Sequence, residues 1–190
     1  MALRRGFKAD AERVAAEVRR DMGLTNLECL DPFRLATFLD IPVLALSSLC
    51  RTHPKIGYLL HIEPDVFSAV TVFSGTRRVI VHNDGHALTR QASNLAHEIA
   101  HSLLFHPPTP PLDDRGSRLW NQDIEDEASW LGGALLIPLQ AALSVAYKRW
   151  SEEETARHFG VSSQMVRFRI NATGAAKRAA LKSRSPVRRG

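Results

Sequence analysis

The order of hydrophobic patterns along this 190-residue chain predicts an α+β fold, with helices first, then a small sheet, then helices again. Three observations carry that reading. Residues 10–22 and 122–137 repeat apolar side chains at helical spacing. Between them lie short runs rich in β-branched and aromatic residues, separated by turn signals. From 139 to 170 the pattern is helical almost throughout. At 44% hydrophobic residues the chain can bury a sizeable core. No apolar run approaches the ~20 residues that cross a bilayer, so no membrane role is expected. The opening "MALRRGFKAD" has basic residues but no apolar segment after them, unlike a secretory signal. The two cysteines, Cys29 and Cys50, then fit a reducing, cytoplasmic setting without a disulfide.

Taken in order, "DAERVAAEVRRDM" puts Val14, Ala15 and Val18 on one stripe, with Asp10 as N-cap and Gly23 as the stop. "DPFRLATFLDIPV" reads as a second helix opened by Asp31 and Pro32, turning into a strand near Ile41–Leu46. "KIGYLLHI", "FSAVTVF" and "RRVIVHN" read as strands of a mainly antiparallel sheet. The last two are joined by a hairpin at Ser74-Gly75-Thr76. A helix over 87–105 ends at "HPPTPP", whose prolines open a loop. The next helix, 122–137, stops at Pro138.

The first of these two helices carries "HEIAH", residues 97–101. Positions i and i+4 share a helix face, so His97 and His101 present two imidazoles to one metal ion. Glu98, a third of a turn from His97, stays outside the coordination sphere but within reach of a water held there. That placement suits a general base. With eight histidines and ten glutamates in 190 positions, chance yields this pattern in about two per cent of such chains. A catalytic zinc site wants a third protein ligand. The extended pattern with a glycine and a third histidine downstream fails, because Leu104 and Pro107 hold those places. A glutamate from a later helix is the other solution, and "DIEDEASWLGGALLIP" supplies it. Glu125 lies beside the apolar stripe at the helix start, where a carboxylate is favoured. Its rival Glu127 reads as a solvent-facing acid of the first turn. Gly132 and Gly133 would let this helix approach another closely.

Together these blocks resemble the ImmA/IrrE family of zinc metallopeptidases, over about residues 10–170. The elements are a strand ending at Asn83, Arg90 ahead of the metal helix, "HEIAH", then "EDEA" and "LGGALLIP" at matching spacing. The resemblance implies a zincin-like metallopeptidase domain with Zn²⁺ held by His97, His101 and Glu125, and Glu98 as catalytic base. It further implies narrow specificity for a protein substrate. That substrate would be a helix-turn-helix transcriptional repressor, cleaved to release mobile-element, prophage or stress genes. Ser93, Asn94, Ala100 and Ser129 depart from the family pattern. Ser129, a hydroxyl in place of an amide or carboxylate, is a poorer support for the ligands. For the developing oxyanion, His82, His86, Arg90 and Tyr58 are all candidates. An exposed strand edge among residues 55–82 could take a substrate peptide as an added strand.

Beyond the domain spanning 1–138, "SEEETARHFGVSSQMVRFRI" combines a capping box, Ser151 and Glu154, with a turn at Gly160 and a second start at Ser162. Residues 139–172 are thus expected to form a small helix-turn-helix-like extension, with Gln164, Arg167 and Arg169 as DNA contacts. Residues 173–190 read as a disordered basic tail. Residues 171–190 hold six basic residues and no acid, which leaves 19 basic against 20 acidic in the rest of a chain whose net charge is +5. Weak, nonspecific DNA binding is the expectation from that tail. The competing function is a DNA-binding regulator that keeps the fold with little or no peptidase activity.

Overall fold

In the computed structural model, residues 3–75, 77–107 and 121–184 are described. Helix α1 (Phe7–Asp21) buries Phe7, Ala11, Ala15 and Val18, an i, i+4, i+8, i+11 stripe along one face. It starts three residues before Asp10, because Phe7 belongs to the core stripe. Asp10 falls in the first turn, where it pairs with Arg4 at 3.1 Å instead of capping. Gly23, at φ +72°, ends the helix in the left-handed region. Helix α2 (Pro32–Phe38) begins as expected, with Asp31 accepting from the Phe33 amide at 2.9 Å.

Among the described residues the sheet has three strands, β1 (Val43–Ala45), β2 (Ala69–Ser74) and β3 (Arg77–His82), in the order β1-β3-β2. β2 and β3 form the expected hairpin, with Ser74 opposite Arg77. β1 runs parallel to β3, Val43 opposite Ile80, so the sheet is mixed, with the longer β2–β3 pairing antiparallel. A three-residue β1 is shorter than the Ile41–Leu46 strand expected, because helix α3 (Leu46–Leu49) begins at once after it.

"KIGYLLHI" is not a strand. It forms a 3₁₀ turn at Pro54–Ile56 and helix α4 (Gly57–His61). Both edges of β3 are already occupied, and the fully buried side chain of Asn83 gathers this segment into turns. Its amide nitrogen donates to the carbonyls of Leu59 (3.3 Å), Pro64 (3.1 Å) and Phe67 (3.1 Å). A buried amide that gathers three backbone carbonyls around its two N–H donors outweighs the local strand propensity of Tyr58, Leu59 and Leu60.

Helix α5 (Leu88–Leu103) lays Leu95, Ile99 and Ala100 into the core. It packs against α6 (Gln122–Leu136), which is buried almost all round from Ala128 onward. Beyond Pro138 come α7 (Leu139–Lys148), α8 (Glu152–Phe159) and α9 (Ser163–Thr173). Ser151 and Glu154 form the capping box, and Gly160 turns at φ +65°. The segment expected as a disordered tail instead carries helix α10 (Ala175–Arg184), which packs on α7 with Ala175 fully buried. Only residues 185–190 of that segment lie outside the described residues. No single helix among the described residues is long and apolar enough to cross a membrane. The apolar α6–α7 pair is bent by 56°, α6 lying mainly in one buried cluster and α7 in a second one beside it.

Two buried arginines secure the C-terminal end of α6. Arg19 donates to the Leu135 carbonyl at 2.7 Å, and Arg169 donates to the Ile137 carbonyl at 2.8 Å. These are carbonyls that a helix terminus leaves without intrahelical partners, at the negative end of its dipole. Arg169 also pairs with Glu12, whose other oxygen accepts from the Leu139 amide at 2.8 Å. Glu12 therefore ties α1 to the α6–α7 junction and to α9. Glu12→Ala should strand the Arg169 cation, at a cost of about 3 kcal/mol or more. Thermal melting should then show a midpoint lower by roughly 6–12 °C. An unchanged midpoint would mean that this ion pair is dispensable.

Candidate metal centre

Three residues of one α6 stripe address a single histidine of α5. Glu125, Ser129 and Gly132 fall at i, i+4 and i+7, on one face of the helix. A Cβ on Gly132 would sit 3.1 Å from the Ala96 carbonyl oxygen and from the His97 amide nitrogen, so the missing side chain lets the two backbones meet. One turn back, the Ser129 hydroxyl lies 3.3 Å from His97 Nδ1. Another turn back, Glu125 Oε2 lies 3.1 Å from His97 Nε2. His101, one turn along α5, brings its Nε2 to 3.0 Å from His97 Nε2 and 3.8 Å from Glu125 Oε2.

The three donor atoms form a triangle whose sides, 3.0, 3.1 and 3.8 Å, bracket the spacing a tetrahedral zinc requires. Ligands about 2.0–2.1 Å from such an ion stand roughly 3.3 Å apart. Two imidazole nitrogens and a carboxylate oxygen also match the chemistry of a three-ligand site with one open position. Hydrogen bonds from His101 and then His97 hold the Glu125 carboxyl far below the ordinary carboxylate range. A ligand carboxyl must likewise be ionised. The set fits zinc.

Glu98 points elsewhere on the helix and accepts from the Thr71 hydroxyl of β2 at 2.6 Å. Both residues line a cleft of about 1240 Å³ that also contains the three candidate ligands. One wall of the cleft is the segment from Val66 to Thr71, which runs into β2, a strand whose outer edge no strand pairs with among the described residues. The opposite wall comes from α9, through Gln164, Met165 and Phe168.

Several residues singled out in the sequence lie elsewhere. Of the four oxyanion candidates, only Arg90 lines the cleft, where it pairs with Asp65 and reaches Ser68 Oγ at 3.3 Å. His86 Nε2 bonds the Pro64 carbonyl at 2.8 Å, and His82 packs edge-on against Phe33. Tyr58 is hydrogen-bonded to Glu63, which raises its pKa. Arg169, weighed as a DNA contact, has no exposed surface, because its guanidinium serves Glu12 and Ile137. Arg167 is exposed but pairs with Glu152 at 2.9 Å, and Gln164 faces the cleft.

Glu127 is not a solvent-facing acid either. Its oxygens meet His106 Nε2 at 3.3 Å and Arg4 Nε at 3.2 Å, and its side chain is only 17% exposed. Thr71, His106 and the α9 wall carry no local signal in the sequence. His106 is five residues from His101, a spacing that no helical face rule selects. Thr71 resembled any strand threonine, and its pairing with Glu98 depends on how β2 packs against α5.

A family model described as the IrrE N-terminal-like domain, Peptidase_M78, matches residues 51–171, well over half of the chain. The matched segment contains both metal helices and ends within α9, while α1, α2 and β1 lie before it. No curated protein matches the chain.

Metal analysis of the purified protein should find one Zn²⁺ per chain, and His101→Ala should lose it. Equal zinc in the two proteins would place the metal elsewhere.

Proposed function

The chain belongs to the IrrE N-terminal-like peptidase family, and from that membership we propose that it is a zinc-dependent endopeptidase of narrow specificity. The observation that carries this reading is the convergence of His97, His101 and Glu125 beside a carboxylate that is not a ligand. A structural zinc site needs no Glu98.

Zinc, when bound, acts as a Lewis acid and lowers the pKa of water at its open position. Glu98 takes a proton from the attacking water and returns it to the leaving amine nitrogen. Thr71 holds the Glu98 carboxylate in one orientation for that transfer. The substrate lies extended along the free edge of β2, its backbone hydrogen-bonding as an added strand. Its side chains meet Met165 and Phe168 on the opposite wall, which restricts what the cleft accepts.

The finer reading rests on the family resemblance. There the substrate is a helix-turn-helix repressor of mobile-element, prophage or stress genes, cleaved in the cytoplasm. The competing reading as a DNA-binding regulator loses two of the cations it relied on. Arg169 is internal and Arg167 is ion-paired.

The test is cleavage of a candidate repressor, followed by mass spectrometry to locate the cut. Glu98→Gln should keep zinc and fold yet cut at least ~10²-fold more slowly. Loss of zinc together with activity would make Glu98 a ligand instead, and full activity would remove it from the mechanism. Thr71→Val should also leave zinc content intact. It should lower kcat, because Glu98 then loses the partner that fixes its orientation.

A further inference from the structure

We propose that His106, braced by Glu127, is the positioning residue that holds His101 in its metal-binding orientation. This rests on the zinc reading above.

Only one arrangement of protons is consistent with the contacts. His101 Nε2 is the atom that points into the ligand triangle, so a metal there leaves the ring proton on Nδ1. That Nδ1 lies 2.9 Å from His106 Nδ1. The N–H therefore donates to a lone pair on His106, which puts the His106 proton on Nε2. His106 Nε2 in turn sits 3.3 Å from Glu127 Oε2, an acceptor. Glu127 Oε1 meets Arg4 at 3.2 Å. Every donor in the series finds an acceptor, and the reverse assignment would set two N–H groups face to face.

The chain path to His106 supports the same role. Phe105, just past the end of α5, has φ +54°, a conformation that bulky residues rarely adopt. Its own side chain is 87% exposed and gains little burial from that geometry. What the turn does is reverse the backbone, so that the His106 amide bonds the His101 carbonyl at 3.0 Å. The imidazole is thereby returned over His101, with ring centroids 5.0 Å apart. The His106 side chain is 9% exposed, so its ring is fixed by packing as well as by hydrogen bonds.

The two metal-binding histidines are then supported unequally. His97 has a neutral serine hydroxyl at 3.3 Å, the weak substitute noted in the sequence. His101 has a second imidazole backed by a carboxylate. Partners of this kind typically account for 10–100-fold in metal affinity.

The test is the zinc dissociation constant of the full chain, measured by competition with a chromophoric chelator. Circular dichroism and melting of the metal-free protein serve as fold controls. His106→Ala should weaken zinc binding about 10–100-fold while still taking one ion per chain. His106→Asn should fall between Ala and wild type, because its Oδ1 can replace Nδ1 as the acceptor. Glu127→Ala should weaken binding in the same direction, and adding it to His106→Ala should change little further. It also keeps the proposal testable if His106→Ala does not fold. A wild-type dissociation constant in folded His106→Ala, with wild type binding one zinc, would overturn the positioning role alone. Wild type that takes no zinc would overturn the metal reading and this proposal together.

Discussion

The approach of α5 and α6 at Gly132 is the constraint that brings the candidate metal ligands together. Two helices whose backbones meet within a missing Cβ can rotate or slide very little. With that contact set, the spacing of α6 does the rest, since Ser129 and Glu125 follow at one-turn intervals along the same face of the helix. His97 is consequently met by backbone, hydroxyl and carboxylate in succession. His101 then joins the carboxylate simply by being four residues further along α5. The next residue, Gly133, serves a different neighbour. A Cβ there would lie 2.9 Å from the Phe168 ring and 3.0 Å from the Arg169 side chain, so α9 is drawn against α6 by the same device.

Burying α6 this deeply creates a problem at its C-terminal end, where carbonyls lose both water and helical partners. Arg19 from α1 and Arg169 from α9 answer it from opposite sides, and Glu12 neutralises the second cation. The helices after Pro138 are therefore not an appendage. Through Arg169 and Phe168 they join the support of α6, and through Met165 and Gln164 they face the cleft.

Much of this was legible in the sequence because the relevant signals are local. The histidine pair and Glu98 follow from helical geometry, and the hairpin follows from a glycine turn. Glu125 follows from its place at the start of an apolar stripe. What could not be read was whatever depends on a partner far along the chain. Residues 55–62 have strand-like composition, but the buried amide of Asn83 gathers them into turns. Arg169 looked like a surface cation because Glu12, 157 residues away, gives no sign of being its partner. Glu127 looked solvated because His106 lies across a proline-rich connection from it. The basic tail suggested disorder by charge, yet α10 packs on α7 with Ala175 fully buried. Its lysine at 182 finds the Tyr147 ring, 4.9 Å from the centroid.

The cleft thus takes its chemistry from α5 and α6, its walls from β2 and α9, and its rigidity from contacts remote from the site. X-ray absorption at the zinc edge of the metal-loaded protein reads the ligand set itself. His97, His101 and Glu125 should give a four-coordinate shell of nitrogen and oxygen at about 2.0–2.1 Å, with the outer scattering of two imidazoles. A sulfur shell at about 2.3 Å, or an oxygen shell without imidazole scattering, would contradict that set.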